Sequence, residues 1–161
     1  MNARTRPGQA GFSMIEIAVV LLVIAIVSAF VVPQVIAFMR AYKLGVAARN
    51  VATALQRARF LATSNNTRAG IVVSEETRVD IQQYDASGAG EPQNKGIVSL
   101  PDGVRIADGP HAVAFDGRGI VTPMPKENAV LRINGFNGYY MFVTVSPTGQ
   151  VTLSETLHDQ T

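Results

Sequence analysis

The sequence predicts an α+β protein: one long N-terminal helix followed by a domain of antiparallel strands. Three observations point there. Residues 12–32, FSMIEIAVVLLVIAIVSAFVV, form a nearly unbroken apolar run. Between Leu44 and Ala62 the positions Leu44, Ala48, Val51, Leu55, Ala58 and Ala62 recur at intervals of three and four, one apolar face of a helix. After Asn65-Asn66 the pattern changes to period two, and turn residues punctuate it.

The apolar run is long enough to span a bilayer, because a hydrocarbon core ~30 Å thick takes a helix of about 20 residues. It follows MNARTRPGQAG, which carries Arg4 and Arg6 and no acid, so retention of positive charge predicts an N-in, C-out orientation. No apolar stretch precedes Gly11, so the leader is not an ordinary secretory signal, and a plain membrane anchor is one reading. Glu16 interrupts the run. A charge at the bilayer centre costs at least ~2.5–3.5 kcal/mol on insertion scales. Glu16 therefore either finds a partner or reaches back to the headgroups. Pro33, at the end of the run, predicts a break or a kink. A helix from Phe12 to Ser64 would measure about 80 Å at 1.5 Å per residue, with Pro33 and Gly45 as weak points. Only its second half has a domain to pack against.

Period-two patterning predicts strands at Ala69–Ser74, Thr77–Tyr84, Ile97–Leu100, Val104–Ala107, Ala112–Phe115, Ala129–Ile133, Tyr139–Val145 and Gln150–Ser154. Glycine, proline and asparagine clusters separate them, at 85–92, Pro101-Asp-Gly, Asp116-Gly-Arg-Gly, Asn134-Gly-Phe-Asn-Gly and Ser146-Pro-Thr-Gly. Spacing this short suits antiparallel meanders rather than βαβ units.

Composition narrows the chemistry. Of 161 residues, 47% are apolar and 16% charged, so the chain should fold rather than stay disordered. Without Arg4 and Arg6, acids and bases balance, and the body is neutral. No cysteine is present, which excludes disulfides, thiolate metal sites and thiol nucleophiles. His111 and His158 are far apart and fit no metal-ligand spacing, so both read as solvated or hydrogen-bonded. Asp116-Gly-Arg-Gly lacks a following GK[ST] or a strand–GxGxxG–helix context and reads as a tight turn. Glu75, Glu76, Asp80 and Asp85 read as solvated charge around strands and turns, not as a tuned acid/base pair. No catalytic, cofactor or metal residue is expected. Arg40, Lys43, Arg49, Arg57, Arg59 and Arg68 form a basic stretch uninterrupted by any acid. Solvated helix positions, anionic headgroups near Arg40 and Lys43, or acidic faces of neighbouring subunits would each account for it, with nucleic acid as a further reading.

Gly11-Phe12-Ser13-Met14-Ile15-Glu16, after a short basic leader and before an apolar run, resembles the prepilin-type processing site of type IV pilins and type II secretion pseudopilins. The resemblance implies cleavage after Gly11 by a prepilin peptidase and N-methylation of Phe12. It also implies a role for Glu16 in assembly, its carboxylate paired with the new amine or with that of a neighbouring subunit, since either charge buried alone is unfavourable. Proline at the place of Pro33 is common in such proteins, where the helix can loosen in the fibre. Leu55-Gln-Arg-Ala-Arg-Phe-Leu-Ala-Thr-Ser-Asn, Phe115-Asp-Gly-Arg-Gly and Val143-Thr-Val-Ser-Pro-Thr-Gly-Gln-Val resemble the GspH/FimT-type domain of minor pseudopilins and minor pilins. The implied fold is the long helix packed on two antiparallel sheets. The implied organisation is a leader at 1–11, a transmembrane helix half at 12–33, an amphipathic half at 34–64 and a β-rich periplasmic domain at 65–161. The expected function is that of a non-enzymatic minor pseudopilin, single-pass in a bacterial inner membrane, assembling with other pseudopilins into a periplasmic fibre for protein export. A minor type IV pilin that primes a surface pilus shares every motif. DNA capture and a membrane-anchored enzyme are readings of other classes.

Overall fold

The computed structural model describes residues 12–85, 90–123 and 126–158. Gly11, Arg4 and Arg6 lie outside them. The chain divides into two units, Met1–Phe38 and Met39–Thr161. One helix, α1 (Met14–Asn65), runs through the first and into the second.

In the first unit every large apolar side chain from Phe12 to Phe38 is exposed. The segment is long and apolar enough to cross a membrane. Valine and isoleucine dominate it, residues of modest helix propensity in water, but in lipid the helix is the form that satisfies every backbone amide within the segment. The Ser13 carbonyl accepts the Glu16 and Ile17 amides, which starts the helix at Met14. Pro33, where a break or a kink is expected, lies inside the span of α1. Proline removes one i→i−4 bond, and the helix runs on through its flanking bonds. Gly45 does not interrupt it either.

In the second unit α1 becomes a core element. All six residues of the predicted apolar face, Leu44, Ala48, Val51, Leu55, Ala58 and Ala62, are buried, and Ala47, Ala52 and Ala54 widen that face. Alanine predominates on it. The helix ends in a left-handed residue, Asn66 (φ 48°), and the Thr67 amide donates to the Ala62 carbonyl at 3.0 Å, the bond of a Schellman cap.

Two antiparallel sheets follow. The first has the order β3 (Gln93–Ser99), β2 (Arg78–Gln83), β1 (Ala69–Glu75), β5 (Ala112–Phe115) and β6 (Val121–Thr122). The second has the order β10 (Leu157–His158), β8 (Tyr139–Val145), β7 (Ala129–Asn134) and β4 (Arg105–Asp108), with β9 (Val151–Leu153) also on β8. Ile71, Val79, Ile81, Val113 and Phe115 of the first sheet join Ile106, Leu131, Ile133, Val143 and Val145 of the second in one core with the helix. The expected α+β fold is the observed one.

The predicted strands fall on β1–β5 and β7–β9, with differences at their ends. β3 starts at Gln93, four residues before the expected Ile97, because its first half is polar and lies at a sheet edge. Lys95 is an extra residue there: Gly96 pairs with Ile81 and Asn94 with Gln82. This bulge turns the Lys95 carbonyl toward α1, where Arg57 Nη2 donates to it at 3.2 Å.

Candidate assembly site

At the helix start, Phe12 is exposed and precedes the cap, while Glu16 is exposed in the first turn. Ser13 as N-cap puts Glu16 at the third helical position, the spacing of a capping box, and a carboxylate there is favoured by the positive end of the helix dipole. That Ser-x-x-Glu signal was legible in the sequence. Phe12 and Glu16 are one helical turn apart along the chain, so an amine generated at Phe12 would belong to the same turn as the carboxylate.

The basic stretch behaves differently from a phosphate-binding face. The Arg40 guanidinium lies 5.4 Å from the Phe136 ring centroid, and that of Arg68 lies 5.2 Å from Tyr84. Arg57 is tied to the Lys95 carbonyl. Arg59 donates through Nε to the Gly119 carbonyl at 3.0 Å and through Nη2 to that of Thr148 at 3.3 Å. Lys43 is half-buried and Arg49 exposed, each without a hydrogen-bond or ion-pair partner among the described residues. A rotation of about 100° per residue puts Arg49 half a turn round the helix from Arg40. The six cations are thus dispersed, and four of them are engaged with carbonyls or rings of the domain.

Arg59 marks the point where the three motif segments of the domain converge. Its guanidinium bridges the Gly119 turn after β5 in the first sheet and the Thr148 turn after β8 in the second. The Val121 amide adds a direct bond to the Pro147 carbonyl at 3.0 Å. Gly149 has φ 82°, and a Cβ there would run into the Gly119 carbonyl, so glycine is required on two counts. This latch holds the two sheets and the helix end in register.

The Asp116 turn is not a phosphate cradle. Asp116 Oδ1 accepts the Arg118 and Ile120 amides, both at 3.0 Å, and its Oδ2 accepts Arg118 Nε and Nη2 at 3.1 and 3.0 Å. The chain's own carboxylate fills the place an anion would take. The Ile120 amide above all, with Arg118, holds this carboxyl below its ordinary range against the opposing effect of burial. Asp80, the one buried charged residue among the described residues, accepts the Ser74 hydroxyl at 2.5 Å and Arg78 Nε at 2.9 Å. Its pKa is lowered, chiefly by Ser74 and then by Arg78, with burial opposing. Both groups are satisfied structural carboxylates. His111 and His158 are exposed, and the latter ring packs 4.6 Å from Tyr139. Among the described residues no cluster of three or more His, Asp or Glu is placed to hold a metal, and no buried side-chain polar atom lacks a partner.

A long helix, apolar and exposed at its start and packed on two antiparallel sheets further on, defines a pilin-like protein. The chain belongs to the family described as type II transport protein GspH, whose model matches residues 47–149. Residues 6–32 match the prokaryotic N-terminal methylation motif. The type IV minor pilin FimU of Pseudomonas aeruginosa shares the fold at 19% identity and TM-score 0.59, over 73% of this chain and 92% of that one. The minor pseudopilin EpsH from the type 2 secretion system of Vibrio cholerae shares it at 16% identity and TM-score 0.55, over 70% and 96%. No curated protein matches the chain.

Proposed function

We propose that this protein is a minor pseudopilin of a type II secretion system, a non-catalytic subunit added to a periplasmic fibre that exports proteins. The observation that carries the proposal is the division of one helix into an exposed apolar half and a half packed on a domain of the GspH family. In this reading residues 1–11 are a leader removed between Gly11 and Phe12 by a prepilin peptidase, which also methylates Phe12. Residues 12–33 anchor the subunit in the inner membrane with its domain in the periplasm. The first helical turn, with the methylated amine of Phe12 and the carboxylate of Glu16, guides docking among other pseudopilins. Pro33 is a place where the helix can loosen once the subunit is in the fibre, since that turn already lacks one bond.

Disruption of the gene tests the choice of machine. Loss of an exported protein from the medium, with surface pili and twitching unchanged, is the expected outcome. Loss of pili with export intact would instead make the protein a minor type IV pilin, the second reading, which the likeness to FimU favours. DNA capture through the basic stretch is tested by titrating the membrane-extracted chain with duplex DNA against salt. Several phosphate contacts would give a steep salt slope. Four engaged cations of six predict no measurable binding near physiological salt.

A further inference from the structure

A groove of about 340 Å³ runs between α1 and the edge strand β3, lined by Asn50, Thr53 and Arg57 on the helix and by Ile97 and Val98 on the strand. Ala54, Ile81, Ile97 and Val98 supply its apolar lining, Asn50, Thr53 and Ser99 are polar, and Arg57 is its cation. Ile97 is 54% exposed. Arg49, Thr53, Gln56 and Phe60 follow one another at spacings of four, three and four and form an exposed stripe on the neighbouring helix face that meets the groove at Thr53, with Phe60 67% exposed. Among the described residues no carboxylate lines the groove. The chain has no Asp or Glu between Ile17 and Ser74.

We propose that this groove and stripe are the docking surface for an acid-bearing amphipathic helix of a different pilin-like subunit. The proposal rests on the fibre-subunit reading above and names the chemistry of the neighbour. Charge selects the occupant. A second copy inserted in the same membrane with the same orientation would offer its own helix, and between Ile17 and Ser74 that helix carries only cations to set against Arg49 and Arg57. Like charges facing each other across an interface are unfavourable, whereas a neighbour with Asp or Glu at this level pairs with Arg49 and buries Phe60 and Ile97. The surface therefore favours a mixed neighbourhood over runs of this subunit.

The test places a photoreactive benzoylphenylalanine at Phe60, and separately at Thr53, in the full-length chain in its native membranes, and sequences the cross-linked peptides. The proposal expects a segment from a different chain with Asp or Glu within one helical turn of the cross-link. It expects Arg49→Glu to cut that product about tenfold and Arg49→Lys to retain it. Arg49 is exposed and has no hydrogen-bond or ion-pair partner among the described residues, so neither variant threatens folding. Cross-links to this chain's own peptides, to segments without acid, to lipid alone, or a yield indifferent to Arg49→Glu would overturn the proposal. Intact mass of the same sample reads processing at Phe12 separately. Correct processing with the wrong cross-link sinks only the docking surface; absent processing sinks the subunit reading itself.

Discussion

The two halves of α1 use hydrophobicity in opposite ways. From Phe12 to Met39 every large apolar side chain is exposed, whereas from Leu44 onward one alanine- and leucine-rich face is fully buried beneath two sheets. Residue type alone does not distinguish them. What does is distribution: apolar residues surround the helix in the first half and occupy one face in the second. A helix apolar all round needs an apolar surrounding supplied from outside the chain, while an amphipathic one finds its cover within its own fold.

Placing the same substitution in both halves breaks this comparison most severely. Leu55→Asp buries an unpaired carboxylate in the core and should abolish cooperative folding of the domain, a loss of several kcal/mol. Leu22→Asp should leave the domain's melting unmoved and instead reduce membrane insertion, by about 2.5–3.5 kcal/mol if it lies near the bilayer centre. Near-ultraviolet circular dichroism separates the two, because Tyr42, Tyr84, Tyr139 and Tyr140 all belong to the second unit.

The next largest effect is expected at the latch. Gly149→Ala combines a left-handed backbone with a collision against the Gly119 carbonyl, and should destabilise the domain by about 1–3 kcal/mol or more in urea titration. Arg59→Ala leaves the Gly119 and Thr148 carbonyls without their charged donor and should lower stability by about 1–3 kcal/mol. Arg49→Ala, on the same helix but exposed and unpaired among the described residues, should change it by less than about 0.5 kcal/mol. Equal effects of these two substitutions would contradict the division of the basic stretch into tethers and free surface.

The smallest effect concerns pH. Hydrogen bonds hold the carboxyls of Asp80 and Asp116 below the ordinary carboxylate range in the folded state, so their contribution is present in full above the unfolded pKa and is lost as pH falls through the folded values. Melting temperature should therefore be flat from neutral pH down to about 5 and drop in the acid range below it. Asp80→Asn should lower the neutral plateau and make the acid drop shallower.

Helices were more legible than strand ends, and strands more than the latch. The buried face of α1 follows from a local period, and all six residues it predicted are buried. β6 and β10 have two residues each, too few to show a period, and the start of β3 is polar because only an exposed edge required it. The latch had no side-chain signature: Arg59 is held by carbonyls 60 and 89 residues away, groups that every residue carries. The glycine turns at 116–119 and 146–149 and the Arg59 segment carry the family resemblance, but nothing in the sequence joins them to one another. The same reason explains the basic stretch, which is one feature along the sequence but divides in space into four cations tied to carbonyls or rings and two, Lys43 and Arg49, without a partner among the described residues.

The measurement that bears most directly on the account is intact mass and N-terminal sequencing of the full chain after co-expression with a prepilin peptidase. The account predicts a chain that begins at Phe12 with a methylated amine and depends on Gly11 for cleavage. A chain that keeps Met1, or is cut elsewhere, would contradict it and reduce the protein to an anchored β-rich domain.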